Sequence, residues 1–183
     1  MNTVARVIFA AVAGAMMFGL AGCDGPPPND TKMIETFRSQ RQTFEALRET
    51  FCALPHAQTV WLDSNDSDPK MPPWRRDPIV ILMKKAGATR VASLPAHGQE
   101  ERLGPAPCSV EITLWSSGAL DGGDVKSIEF SPAPDRDDLA LQSLDNIDFK
   151  NTVHHFPPPS PHGHRIYKRH LEGDWWLVWQ HWE

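Results

Sequence analysis

Apolar residues follow three different rhythms along this chain, and each rhythm predicts a different kind of element. From Val7 to Leu20 they run unbroken behind the lone cation Arg6. That run is shorter than the roughly 20 residues a membrane-spanning helix needs, and it has the layout of the apolar region of a cleaved export signal. From Asp30 to Leu54 the apolar positions Met33, Phe37, Phe44, Leu47, Phe51 and Leu54 recur three, four or seven residues apart. Lys32, Glu35, Arg38, Arg41, Glu45, Arg48 and Glu49 fill the opposite side. This period predicts one amphipathic helix, with Asp30 as N-cap, an Arg41–Glu45 pair one turn apart and Pro55 as its stop.

Beyond Pro55 the rhythm shortens to two, the period of half-buried strands. Gln58–Leu62 reads as a first strand. Ile79–Lys84 and Thr89–Leu94 read as a hairpin around Ala86-Gly87. A short helix over Ile79–Lys85 ending at Gly87 is the alternative, and the β-branched content favours strand. Ser109–Trp115, with Val110, Ile112 and Leu114 on one face, is expected to pair with Val125–Ser131. A short helix is expected around Leu139–Leu144. The chain closes on a hairpin of Arg165–Leu171 and Trp175–Trp182; with Glu172-Gly173 as its two-residue turn, Arg169 faces Trp176, Ile166 faces Trp179 and His164 faces His181. The expected fold is therefore α+β, an N-terminal amphipathic helix packed on a mainly antiparallel sheet of six or seven strands. The expected division is a signal over 1–22, a tether over 23–30 and one globular domain over 31–183.

Composition narrows the partners. Among 183 residues, 18 Lys and Arg face 23 Asp and Glu, a formal charge of −5. No basic run is present to displace counterions from a phosphate backbone, so nucleic acid is not an expected partner. Removing residues 1–22 takes away Arg6 and no acid and leaves −6, a sign that gives no attraction to anionic lipid. Gly25-Pro26-Pro27-Pro28-Asn29 predicts an extended polyproline spacer. Of three cysteines, Cys52 and Cys108 are expected to form a disulfide in an oxidising compartment. It would close a 57-residue loop, worth roughly 4 kcal/mol in the chain-entropy model.

Leu20-Ala21-Gly22-Cys23 resembles the bacterial lipobox at all four positions. The resemblance implies cleavage before Cys23 and acylation of its thiol, and attachment of more than one acyl chain gives a stable anchor where a single chain does not. Asp24 resembles the residue that retains enterobacterial lipoproteins in the inner membrane. Val110-Glu-Ile-Thr-Leu-Trp-Ser-Ser-Gly118, Leu141-Gln-Ser-Leu-Asp145 and Tyr167-Lys-Arg-His-Leu-Glu-Gly-Asp-Trp-Trp176 resemble a loose group of small, uncharacterised bacterial envelope lipoproteins that pair a lipobox with an N-terminal helix and a terminal strand pair. This implies a shape and a location and carries no activity.

Chemistry is sparse. The chain has no Gly-x-Ser-x-Gly elbow and no phosphate loop, and the adjacent acids Glu100-Glu101 and Asp137-Asp138 suit solvation better than catalysis, so an enzyme is not expected and no cofactor is called for. A calcium loop over Asp63–Trp74 fails, with Asp68 at the glycine position and Trp74 at the bidentate one. Six of the eight histidines fall in the last thirty residues, and His162, His164 and His181 are the candidates for a zinc or copper site. Trp175, Trp176, Trp179 and Trp182 lie on both faces of one strand, which makes Arg169, Trp176 and Trp182 a candidate binding face of the aromatic and arginine type. The expected role is a membrane-anchored binding protein with a protein partner in the envelope, of which an immunity or inhibitor protein against a periplasmic toxin or hydrolase is one form. The alternative is a metal-binding envelope protein.

Overall fold

The computed structural model describes residues 25–63, 67–94, 108–118, 123–132, 143–145 and 165–182. These build an α+β fold in which every pairing of the seven-stranded sheet is antiparallel.

The first amphipathic segment is two helices, α1 (Asp30–Ser39) and α2 (Arg41–Cys52), broken at Gln40 (φ −118°, ψ 23°). No proline causes the break. Thr36 and Ser39 hydroxyls donate to the carbonyls of Lys32 and Thr36, a side-chain competition with the backbone that bends helices. The cap also lies one residue earlier than expected: Asn29 Oδ1 accepts the Lys32 N–H at 2.8 Å, and Asp30 is a buried first-turn residue. The apolar stripe is retained across the break, with Met33, Phe37, Phe44, Leu47 and Phe51 all buried.

The expected hairpin around Ala86-Gly87 is replaced by helix α3 (Pro73–Ala86) leading into a strand. Pro73 occupies the first turn, where a missing N–H is harmless. Gly87 at φ 69° closes the helix, its N–H bonding to Lys84 C=O and the Ala88 N–H to Met83 C=O, the paired bonds of a Schellman ending. Ile79, Met83 and Ala86 recur at helical spacing and are buried. That burial outweighs both the β-branched content and the interior Pro78.

The strands are β1 (Thr59–Trp61), β2 (Ser67–Asp68), β3 (Arg90–Leu94), β4 (Ser109–Ser117), β5 (Gly123–Phe130), β6 (Arg165–Glu172) and β7 (Trp175–Trp182), in the order β2-β1-β3-β4-β5-β7-β6. Strand β3 lies between β1 and β4, and the β4–β5 pairing is as expected except for a bulge between Thr113 and Trp115. The β6–β7 hairpin slips by one residue from its expected register. Its turn is Gly173-Asp174, and a bulge between His170 and Glu172 pairs Arg169 with Leu177, His170 with Trp176, Tyr167 with Trp179 and Arg165 with His181. The expected short helix around Leu139–Leu144 falls mostly outside the described residues; of it, Leu144 is buried in the core.

The core lies between the helices and one sheet face. Trp175 is its hub, with ring centroids of Phe37 at 5.3 Å, Phe130 at 5.4 Å and Phe44 at 6.2 Å. Its indole N–H donates to Glu45 Oε1 (3.2 Å), and Arg41 and Arg48 close on the same carboxylate at 2.8 and 2.7 Å. Burial alone would push the Glu45 carboxyl up, but the Arg48 and Trp175 hydrogen bonds and the two arginine charges hold it below the usual carboxylate range. Cys52, at the end of α2, is bridged to Cys108, just before β4, with Cα atoms 5.6 Å apart.

Candidate functional site

The register decides what Arg169, Trp176 and Trp182 can do together. Side chains alternate across a strand, so pairing Arg169 with Leu177 puts Arg169 on the helix-facing side of the sheet and Trp176 and Trp182 on the other. Trp176 is only 9% exposed, and its ring meets His170 with centroids 4.9 Å apart. The expected contact of Arg169 over Trp176 is therefore not formed, and the three residues do not share one surface.

Arg169 belongs instead to a buried charge cluster. Its Nη1 donates to Asp30 Oδ2 at 2.9 Å, and the same oxygen accepts the Leu144 N–H at 2.7 Å. Lys126 Nζ lies 3.4 Å from Asp30 Oδ1, 3.5 Å from Asp145 Oδ1 and 3.0 Å from the Pro28 carbonyl oxygen, and 4.5 Å from the Trp179 ring centre. Both Asp30 and Lys126 are 1% exposed. Burial alone would raise the Asp30 carboxyl. The Leu144 and Arg169 hydrogen bonds and the Lys126 charge outweigh it and hold the group below the usual carboxylate range.

The second sheet face carries another set of charges. Glu111 and Glu129 are direct cross-strand partners and both are buried. Like charges so placed repel and need neutralising. Arg90 Nη1 stands 3.5 Å from Glu111 Oε1, the Thr113 hydroxyl and Gln180 amide donate to the Glu111 carboxylate at 3.2 and 3.1 Å, and Lys168 Nζ is 3.4 Å from Glu129 Oε1. The arrangement neutralises charge inside a packed face.

Among the described residues, the two most exposed large apolar side chains lie on α3. Trp74 is 72% and Ile81 66% exposed, and at a spacing of seven they share one face of the helix. Arg75 sits over the Trp74 ring at 5.5 Å. Arg75, Arg76, Lys84 and Lys85 against Asp77 alone make α3 basic in an acidic chain. Exposed aromatic and aliphatic groups ringed by arginine have the make-up of a protein-binding hot spot. The strand reading of Ile79–Lys84 hid this face; the signal that reveals it is Gly87 as a helix ending, with Trp74, Pro78 and Ile81 falling together once a helical period is applied.

Of the proposed metal ligands, His162 and His164 lie outside the described residues, as does Cys23. His181 Nδ1 is 3.0 Å from Asp124 Oδ1 and faces Arg165 across the hairpin, where His164 was expected. Among the described residues no three His, Cys, Asp or Glu side chains gather as a metal requires, and no helix among them is long and apolar enough to cross a membrane. Comparison with protein-family models, with curated proteins and with solved structures finds no match.

Proposed function

We propose that this chain is a lipid-anchored binding protein of the bacterial cell envelope, exported by its N-terminal signal, acylated at Cys23 and facing the periplasm, with Asp24 favouring the inner membrane. In this reading the N-terminal helical segment laid on the sheet forms the rigid body that carries the binding surface. The supporting observation is the exposed Trp74–Ile81 face of α3, whose apolar centre and basic flanks suit a protein partner with an acidic rim. An immunity or inhibitor protein that masks a periplasmic toxin or hydrolase is the form this takes, since membrane tethering places such an inhibitor where its target enters.

The test is capture from detergent-solubilised envelopes with the full-length acylated protein. A specific partner retained by the native protein and lost with a Trp74→Ala/Ile81→Ala double variant is expected. Retention of the same partner by that variant sinks the assignment of the face, and absence of any specific partner counts against the binding role.

A further inference from the structure

We infer that the anchor holds the domain in a fixed orientation, with one end of the sheet seated on the phospholipid surface and Trp61, Trp115 and Trp182 at headgroup level. The inference rests on acylation of Cys23 and adds to it a surface and its occupant.

Residues 25–29, expected to be an extended polyproline spacer, are bound to the fold together with Asp30. The Gly25 carbonyl accepts the Trp115 indole N–H at 3.1 Å, the Pro28 carbonyl accepts from Lys126 Nζ at 3.0 Å, and the Asp30 N–H donates to Asp145 Oδ1 at 2.6 Å. Trp115 and Lys126 are cross-strand partners on β4 and β5, so the tether crosses the sheet at a defined place. From Gly25 back to Cys23 is two residues, a reach of at most about 7 Å for extended chain. That reach is comparable to the headgroup layer, about 5–8 Å on each side of the hydrocarbon. A chain so short and so pinned cannot hold the domain clear of the bilayer.

The antiparallel register identifies what else lies at that end. Strand β4 finishes there, so its neighbours β3 and β5 begin there, and β1 and β7 finish there. The end of β1 is Trp61, paired with Arg90; the end of β7 is Trp182, paired with Gly123. Trp61, Trp115 and Trp182 are all partly exposed. Helix α3 reaches β3 through Gly87, which brings the exposed Lys84 and Lys85 of its last turn toward the same end. Of the described acids near that end, Asp124 is held by the Trp179 indole at 2.9 Å and by His181, while Asp63, just beyond Trp61, is exposed. Indole rings with neighbouring lysines are the side chains that settle at the membrane–water interface. The exposed Trp74 is at the opposite end of α3 and is the internal control.

The experiment reconstitutes the acylated full-length protein in phosphatidylethanolamine/phosphatidylglycerol vesicles with and without a lipid carrying a shallow nitroxide on its acyl chain, and follows tryptophan emission. Part of the emission is expected to be quenched. Trp61→Phe and Trp182→Phe each remove some of the quenchable part, Trp74→Phe removes none, and a flexible Gly/Ser insertion between Asp24 and Gly25 lowers quenching in the otherwise native protein. Acylated, vesicle-bound protein that is not quenched, or whose quenching disappears with Trp74→Phe alone, overturns the orientation while leaving the anchor standing. Cys23 found without acyl chains by mass spectrometry overturns the anchor, and the orientation with it.

Discussion

Strand β5 buries a charge on each of its faces, and the two are built differently. Lys126 points toward the helices, into contacts with Asp30, Asp145 and the Pro28 carbonyl. Glu129 points the other way, beside Glu111 and Lys168. Around Asp30 the tightest bonds are 2.6–2.9 Å and join stretches more than 100 residues apart in the chain. The polar contacts of Glu111 and Glu129 among the described residues are 3.1–3.5 Å and join strands already held by the ladder. Depth of burial is therefore a poor measure of what a charge contributes. The Asp30 cluster is the joint by which the tether, the 143–145 segment and two strands are held together, whereas the glutamates complete a face that the backbone has already assembled.

The helix-facing side is accordingly where substitutions are expected to hurt most. Trp175→Ala, which empties the ring site shared by Phe37, Phe44 and Phe130, is expected to cost ~3–5 kcal/mol in urea unfolding. Asp30→Asn leaves Lys126 buried against fewer charges and is expected to cost about 3 kcal/mol, the lower end for a broken buried pair. Glu129→Gln on the other face weakens the pairing with Lys168 but also relieves the repulsion from Glu111, and is expected to cost about 1 kcal/mol; a loss equal to that of Asp30→Asn would break the contrast between the faces. Trp74→Ala, exposed on α3, is expected to leave stability within about 0.5 kcal/mol while weakening the binding proposed for that face.

Acid sharpens the same contrast. The folded protein holds Asp30 and Glu45 below their ordinary values, so the unfolded chain binds more protons as pH falls. Their contribution is complete above the unfolded carboxylate values, about 4, and is lost as pH drops through the folded ones. Urea midpoints at pH 6 and pH 3 are expected to differ more for the native protein than for Asp30→Asn. An unchanged pH dependence in that variant would remove Asp30 from the acid response.

The parts of this fold that were legible in the sequence are those where one local rule acts alone. Alternation over Val110–Ile112 and Ile128–Phe130 locates β4 and β5, and the Met33–Phe51 stripe locates the helical segment, though not its break at Gln40. The Cys52–Cys108 bridge follows from there being two cysteines once Cys23 is set aside. Where two rules compete, the reading fails. In α3 the β-branched run Ile79-Val80-Ile81 and Pro78 argue against a helix, and the buried spacing of Ile79, Met83 and Ala86 prevails. In the last hairpin a single bulge near Leu171 shifts the pairing by one residue, which sends Arg169 to the face opposite Trp176. The Asp30 cluster could be glimpsed, since Lys126 falls in phase with Ile128 and Phe130 on an apolar face. Its partners could not, because nothing local connects positions 30, 126, 145 and 169.

The strand order carries a consequence for how the protein is made. Strand β5 lies between β4, its neighbour in sequence, and β7, the last of the described strands. During synthesis from the N-terminus, the β4–β5 ribbon exists with one open edge until residues 175–182 appear, because Phe130 must wait for Trp175 and Gly123 for Trp182. Contacts of such sequence separation form late and slowly. The nascent chain thus lacks both the strand that closes the open edge of β5 and the tryptophan at the hub of its core until residues 175–182 have been made, and this side of the fold waits for them.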